Sequence, residues 1–240
     1  LDLCRFSTNE NDDPISLSEY LEKMPETQKD IYYISAETNA QALASPHLEG
    51  FKSKKVPVLI MTDAIDQFWL PMVGSFKEKK FTSITQGQIN LDELDAKNKD
   101  KKKDDNSEKE KQDKEYVDLV AQLKVVLGDQ VKDIRLSSKL TDSPVCLVAD
   151  EGDMDIAMEQ LMAQRDTNYK GAPRILEING DHSLIKNMKS LLSKKEDNDL
   201  VSDAGTLLFE QARLMEGKMP ADPAQFSKIM NQFLLKAIPN

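Results

Sequence analysis

Apolar residues recur along this chain at two periods, and each change of period marks an element. Towards the end, Phe226, Ile229, Met230, Phe233, Leu234 and Ala237 fall at helical spacing, with Ser227, Lys228, Asn231, Gln232 and Lys236 between them. This predicts a helix over 225–237 with one side to be covered. Before it, Leu200, Ala204, Leu207, Leu208, Gln211, Leu214 and Met215 form a second stripe, ended by Gly217 at a C′ position. A short turn then leads to Asp222 as N-cap and Pro223 at N1 of the last helix. The two stripes make an antiparallel helical hairpin. Two helices cannot close a core alone, so the hairpin either meets its own copy in a four-helix bundle or packs on the rest of its chain. The homodimer is the first expectation, with those side chains up to Leu234 as its interface.

Upstream the period alternates. Residues 1–14 end in a polar run and read as a loop, after which Ser16 and Glu19 stand at capping-box spacing and open a helix over 17–24 that Pro25 ends. Ile31-Tyr32-Tyr33-Ile34 is a β-prone run, 37–44 is an alanine-rich helical stretch broken at Ser45-Pro46, 47–55 adds a turn or two of helix, and 56–61 is apolar again. Strand, helix, strand is the order of a right-handed parallel βαβ unit. Thr62-Asp63 then caps a helix over 64–70 that Pro71 cuts, and the small three-layer α/β module ends near residue 85.

Residues 95–114 carry lysines against nearly as many acids, with Ala96 as the one apolar residue, and form either a solvated linker or an exposed charged helix. Tyr116, Val117, Leu119, Val120, Leu123, Val126 and Leu127 restart a helix that stops at Gly128. Two strands, 131–136 and 145–149, are joined through the turn Thr141-Asp142-Ser143-Pro144; 154–165 is helical, 174–178 is a third strand, and a helix over 183–192 precedes the hairpin. The expected organisation is an α/β module at 1–94, a charged segment at 95–114 and an α+β domain at 115–240.

Charge and composition remove several functions. A net charge of -10 with no one-sided basic surface argues against nucleic acid or an anionic membrane as partner. No run of about 18 apolar residues and no basic-then-apolar leader is present. Cys4 and Cys146 lack metal-ligand spacing and read as reduced thiols of a cytoplasmic protein. With His47 and His182 as the only histidines, neither a histidine-rich metal site nor a nucleophile–base pair is supplied. Asp181-His182-Ser183 resembles a triad in letters, but neighbours point apart, and Asp181 as a helix N-cap accounts for it. There is no P-loop and no G-x-G-x-x-G, so no nucleotide site, cofactor or catalytic residue is assigned.

Two apolar features carry more information. Met154, Met158, Leu161 and Met162 share one helical face, which is either core or an adaptable surface for unlike partners. In Phe68-Trp69-Leu70, one of Phe68 and Trp69 faces away from the core if the other faces in, and the outward one is a contact for apolar ligands or peptides.

Several stretches together resemble the ninety-kilodalton heat-shock chaperone family in its bacterial branch. They are Ser16-Leu17-Ser18-Glu19-Tyr20 with Met24, Gln28-Lys29-Asp30-Ile31-Tyr32-Tyr33-Ile34, Ser45-Pro46-His47-Leu48-Glu49, and Val58-Leu59 with Asp63-Ala64-Ile65-Asp66. The match continues through Val131-Lys132-Asp133-Ile134-Arg135-Leu136, Lys139-Leu140-Thr141-Asp142-Ser143-Pro144, Asn179 with Asp181-His182, and Met230-Asn231-Gln232. The resemblance implies that the chain is the end of a middle domain plus a dimerisation domain of an ATP-dependent chaperone of protein folding and the stress response. The first residues, Leu1-Asp2-Leu3, lack an initiator methionine and are expected to follow upstream parts that hold ATP, magnesium and a catalytic arginine, so the piece itself is not expected to be an enzyme. It implies client contact at Phe68, with Trp69 beside it, and at Met154, Met158, Leu161 and Met162. The ending Ala237-Ile238-Pro239-Asn240, without an acidic peptide, implies a bacterial source and independence from tetratricopeptide cochaperones. The alternative is a structural dimerisation module with no client contact of its own.

Overall fold

The computed structural model describes residues 3–10, 13–94, 102–166, 169, 171–194 and 198–238. The chain falls into two compact units: Leu1–Asp105 with Ser138–Asp142 and Val148–Ala172, and Asn106–Ser137 with Ser143–Leu147 and Pro173–Asn240. Residues 148–172 therefore group with the first unit, whereas the sequence reading placed them in the 115–240 domain.

The first unit is built on a five-stranded sheet of β1 (Ser7–Thr8), β2 (Ile31–Ser35), β3 (Leu59–Met61), β4 (Ser75–Phe76) and β5 (Lys79–Ser83), in the order β1-β3-β2-β5-β4. The inner strands β3, β2 and β5 are parallel and the two short edge strands antiparallel. Because successive side chains point to opposite faces, Tyr32, Ile34 and Ile60 go one way and Ile31, Leu59 and Met61 the other. The first set is covered by Ala42 of α2 (Asn39–Leu43), by Leu48 just ahead of α3 (Glu49–Ser53), and by Phe51 of α3. The second is covered by Leu17 and Tyr20 of α1 (Leu17–Lys23) and Leu70 of α4 (Asp66–Val73). The result is three layers with both sheet faces buried.

Local chemistry sets the helix ends. The capping box of α1 is formed: Ser16 Oγ accepts from the Glu19 N–H at 3.2 Å and Glu19 Oε2 from the Ser16 N–H at 2.6 Å. Helix α4 departs from expectation at both ends. Thr62 and Asp63 do not cap it; the Asp66 carboxylate instead accepts from the Asp63 N–H at 3.1 Å. Nor does Pro71 cut it, since a proline there removes the one N–H that would reach Gln67 and the helix runs on to Val73, ended by Gly74 at φ +67°. Strand β1 lies where the sequence suggested loop, β4 and β5 lie in a stretch to which no element was assigned, and the hairpin between them turns through Lys77 and Glu78 at φ +46° and +67°.

A 26-residue helix, α5 (Lys102–Leu127), takes up most of the charged segment; the part of that segment at 95–101 lies outside the described residues. The helix α6 (Ile156–Arg165) belongs to the first unit. In the second unit β6 (Val131–Leu136), β7 (Val145–Val148) and β8 (Arg174–Ile178) form a sheet of order β6-β8-β7, with β8 parallel to β6 and inserted between the two strands that precede it in sequence. Helices α7 (Ser183–Ser193), α8 (Asn198–Met215) and α9 (Pro223–Ala237) complete it. Its core joins Leu119, Leu123 and Leu127 of α5 to Ile134, Leu147, Leu176 and Ile178 of the sheet, Ile185 and Met188 of α7, and Val201, Leu208 and Ala212 of α8. Gly205 lies against the Leu123 side chain so closely that a Cβ would overlap it, which fixes how near α8 comes to α5. The N-cap of α7 is His182, whose Nδ1 accepts from the Leu184 N–H at 3.2 Å, and not Asp181, which accepts from Lys186 Nζ at 3.0 Å. Among the described residues no helix is long and apolar enough to cross a membrane.

Candidate functional site

Helix α4 separates its two aromatics. Trp69 is half-buried, with ring centroids 5.5 Å from Phe81 and 6.1 Å from Phe6, and its Nε1 donates to Asp66 Oδ1 at 2.7 Å. Burial pushes the Asp66 carboxyl above the usual range, opposed by the bonds from Trp69 and Asp63. One residue earlier on the helix, Phe68 is 38% exposed, and Ile65, Met72 and Val73 stand in solvent beside it. At i, i+3 and i+7, Ile65, Phe68 and Met72 share one outward side. The sequence reading found Phe68 and missed its two companions, although the same spacing rule applied to 65–72 picks them out.

Helix α6 is held at its start and along its inner side. Asp155 Oδ2 accepts from Ser83 Oγ at 2.5 Å and Thr85 Oγ1 at 2.9 Å, while its Oδ1 accepts from the Ala157 N–H at 2.9 Å as the N-cap. Gln86 Nε2 donates to the carbonyl of Asp153 at 2.7 Å. Along the helix the buried side chains are Ile156 and Glu159; the Glu159 carboxylate accepts from the Ala172 N–H at 2.6 Å, beside Gly171 at φ +69°. The helix begins at Ile156 and not at 154 as expected, because Asp155 caps it, so Met154 stands in the turn before it; Met154 is 38% and Met162 37% exposed, with Met158 and Leu161 half-buried. The anchors of Asp155 to Ser83 and Thr85 were invisible in sequence, because they join residues about seventy positions apart.

The closing helices carry more apolar surface than their own unit uses. On α8, Val201, Ala204, Leu208, Phe209 and Ala212 enter the core. The neighbouring stripe does not: Leu200 and Leu207 are half-buried, and Gln211, Leu214 and Met215 are exposed. On α9 Ile229 is buried, Phe226 and Phe233 are half-buried, and Met230, Leu234, Leu235 and Ile238 are exposed. Of the twelve interface candidates, Ala204, Leu208 and Ile229 are thus filled by their own chain. The turn between the helices is tied down by Glu210, a buried carboxylate that accepts from the Ala221 N–H at 3.1 Å.

Comparison with known proteins bears on the whole length. The family profile described as Hsp90 protein matches residues 1–239. The chain belongs to the Hsp90 family. Among its relatives are proteins named chaperone protein HtpG: that of Roseobacter denitrificans is 41% identical over 240 residues, covering 99% of this chain and 38% of the relative. The HtpG of Streptomyces coelicolor is 38% identical over 228 residues, 95% of this chain and 35% of the relative. That of Wolbachia pipientis wMel is 36% identical over 237 residues, 98% and 37%. The chain therefore spans a little over a third of the length of the curated Hsp90-family relatives it matches.

This Hsp90-family chain leaves large apolar side chains in solvent on several of its described helices. No group of three His, Cys, Asp or Glu among the described residues is placed to hold a metal ion. Cys146 is buried, its Sγ 3.9 Å from Glu177 Oε2, and Cys4 is exposed.

Proposed function

We propose that this chain is the part of an ATP-dependent Hsp90-family chaperone that pairs two copies and presents part of the surface held against non-native client proteins. The observation behind this reading is the quantity of large apolar side chain left in solvent: Phe68 and Met72 on α4, Met154 just before α6 and Met162 on it, and Leu214, Met215, Met230 and Leu234 on the closing hairpin. Apolar groups gathered on one side of a helix have a cost in water and are covered when a partner arrives. The hairpin surface repeats along two antiparallel helices and suits an identical surface related by a two-fold axis, giving a four-helix bundle. The surfaces of α4 and α6 are short and rich in methionine, whose flexible thioether adapts to differing client side chains. A client is gripped there by many weak contacts and not by one deep pocket.

The sequence has no glycine-rich phosphate loop, and we assign ATP and magnesium to the portion of the relatives that this chain does not match. On this reading the chain alone does not hydrolyse ATP. It works in a bacterial cytoplasm, and its charge of -10 disfavours nucleic acid and anionic membranes as partners.

Replacing Met154, Met158, Leu161 and Met162 together with serine is expected to weaken binding of a partly unfolded client by about tenfold or more, with self-association unchanged. Unaltered affinity would remove the methionine face from the model. The half-burial of Met158 and Leu161 favours, as a second reading, a structural dimerisation module without client contact. That reading gains if added client fails to protect Met154 and Met162 in an oxidation footprint.

A further inference from the structure

We propose that the outer face of α6, with Met154 in the turn before it, is a reversible oxidation site, at which conversion of Met154, Met158 and Met162 to sulfoxides switches off its hold on apolar chains. The inference rests on the client-binding reading above and adds a control to it. The chain holds ten methionines, and their settings differ sharply. Met61 and Met188 are 1% and 2% exposed, shielded within cores. Met158 and Met162 stand at i and i+4 on α6 and Met154 lies in the turn that leads into it; Met154 and Met162 are exposed and Met158 is half-buried.

The anchors found for α6 among the described residues are carboxylate, hydroxyl and amide groups and one aliphatic side chain. Its seat is Ile156 and Glu159, its start is clamped by Ser83 and Thr85 on Asp155, and Glu159 holds the Ala172 N–H. Oxidation of the outer face leaves each of these interactions in place, so the surface changes character while the fold stays. Arg165, one turn beyond Met162 and exposed, can donate to an oxygen placed on that sulfur.

The reaction needs a hydroperoxide. A sulfur lone pair attacks its terminal oxygen, the S–O bond forms as the O–O bond breaks, and the departing alkoxide or hydroxide takes up the transferred proton as alcohol or water. Sulfur gives up two electrons and the peroxide accepts them. The product is a strong hydrogen-bond acceptor, and an apolar client laid over it would strand that acceptor without a donor. Thiol-dependent sulfoxide reductases remove the oxygen as water and return the thioether.

The test treats the full chain with hydrogen peroxide until peptide mass mapping shows sulfoxide at Met154, Met158 and Met162 with Met61 and Met188 intact. Affinity for a partly unfolded client is then measured. The expected result is a loss of about tenfold or more, reversed by the two sulfoxide reductases with dithiothreitol, with the thermal melt unchanged. The variant M154L/M158L/M162L is measured against itself: whatever its starting affinity, that affinity is expected not to fall on peroxide treatment, which assigns the loss in the parent to these three sulfurs and not to the other exposed methionines, Met72, Met215, Met219 and Met230. Oxidised protein that binds as before, equal peroxide sensitivity in the leucine variant, or a collapsed melt each overturns the switch. If the untreated chain binds no client, the client-binding reading fails first and this proposal with it.

Discussion

Phe68 and Trp69 are neighbours in sequence with opposite settings, and the difference is chemical. The indole has an N–H that needs an acceptor once it leaves water, and Asp66, three residues earlier, supplies one. Phe68 has no such requirement and stays outside. Trp69→Ala is therefore expected to lower unfolding stability by about 3 kcal/mol, through lost packing on Phe6 and Phe81 and a stranded Asp66. Phe68→Ser is expected to move stability by less than about 0.5 kcal/mol, and urea titrations of both variants check the contrast. Asp66 also gives a pH signature. Its carboxyl is raised by burial, so its contribution to stability is fully present below the ordinary aspartate range near about 3.9 and is lost as pH rises through the raised value. Asp66→Asn is expected to flatten that part of the stability profile, followed by the fluorescence of the sole tryptophan; an unchanged slope would show that Asp66 does not set it.

At the scale of elements, the start of α6 is held by the Asp155 carboxylate. Asp155→Ala removes the helix cap and leaves the buried hydroxyls of Ser83 and Thr85 without their common acceptor, an expected loss of about 2 to 3 kcal/mol in thermal unfolding. Gly205→Ala would drive a methyl group into Leu123 at the closest approach of α8 to α5, with an expected cost of about 1 to 3 kcal/mol. Most helices were legible in sequence because their apolar stripes and caps are local, as with Ser16 and Glu19 or Asp222 and Pro223. The strands that were missed lack such local signals. β1 has two residues, and the β4–β5 hairpin turns through Lys77 and Glu78, which take left-handed backbone without the glycine or asparagine that would announce it. The position of β8 between β6 and β7 is a long-range choice that no local pattern carries. The methionine stripe of α6 was legible as a stripe, but which side of the helix is seated was not. A glutamate, Glu159, holds an inner position there because a backbone amide thirteen residues on meets it.

For the whole molecule, the proposed function asks that the apolar surface left in solvent be covered by other chains. Helix α8 illustrates why a stripe alone does not define an interface. Its apolar arc is wide enough for two seams, one taken by Val201, Ala204 and Leu208 in the unit's own core and the adjacent one by Leu200, Leu207, Leu214 and Met215. In the proposed pairing the second seam of α8 and the outer stripe of α9 meet their copies. Changing Leu214, Met230 and Leu234 to serine leaves the first seam intact, so the variant is expected to keep its secondary structure by circular dichroism while losing self-association. Sedimentation equilibrium of the unmodified chain at micromolar concentration tests the pairing most directly. A mass of about twice 27.1 kDa is the expected result, and a species that stays at 27.1 kDa throughout the concentration range would contradict it.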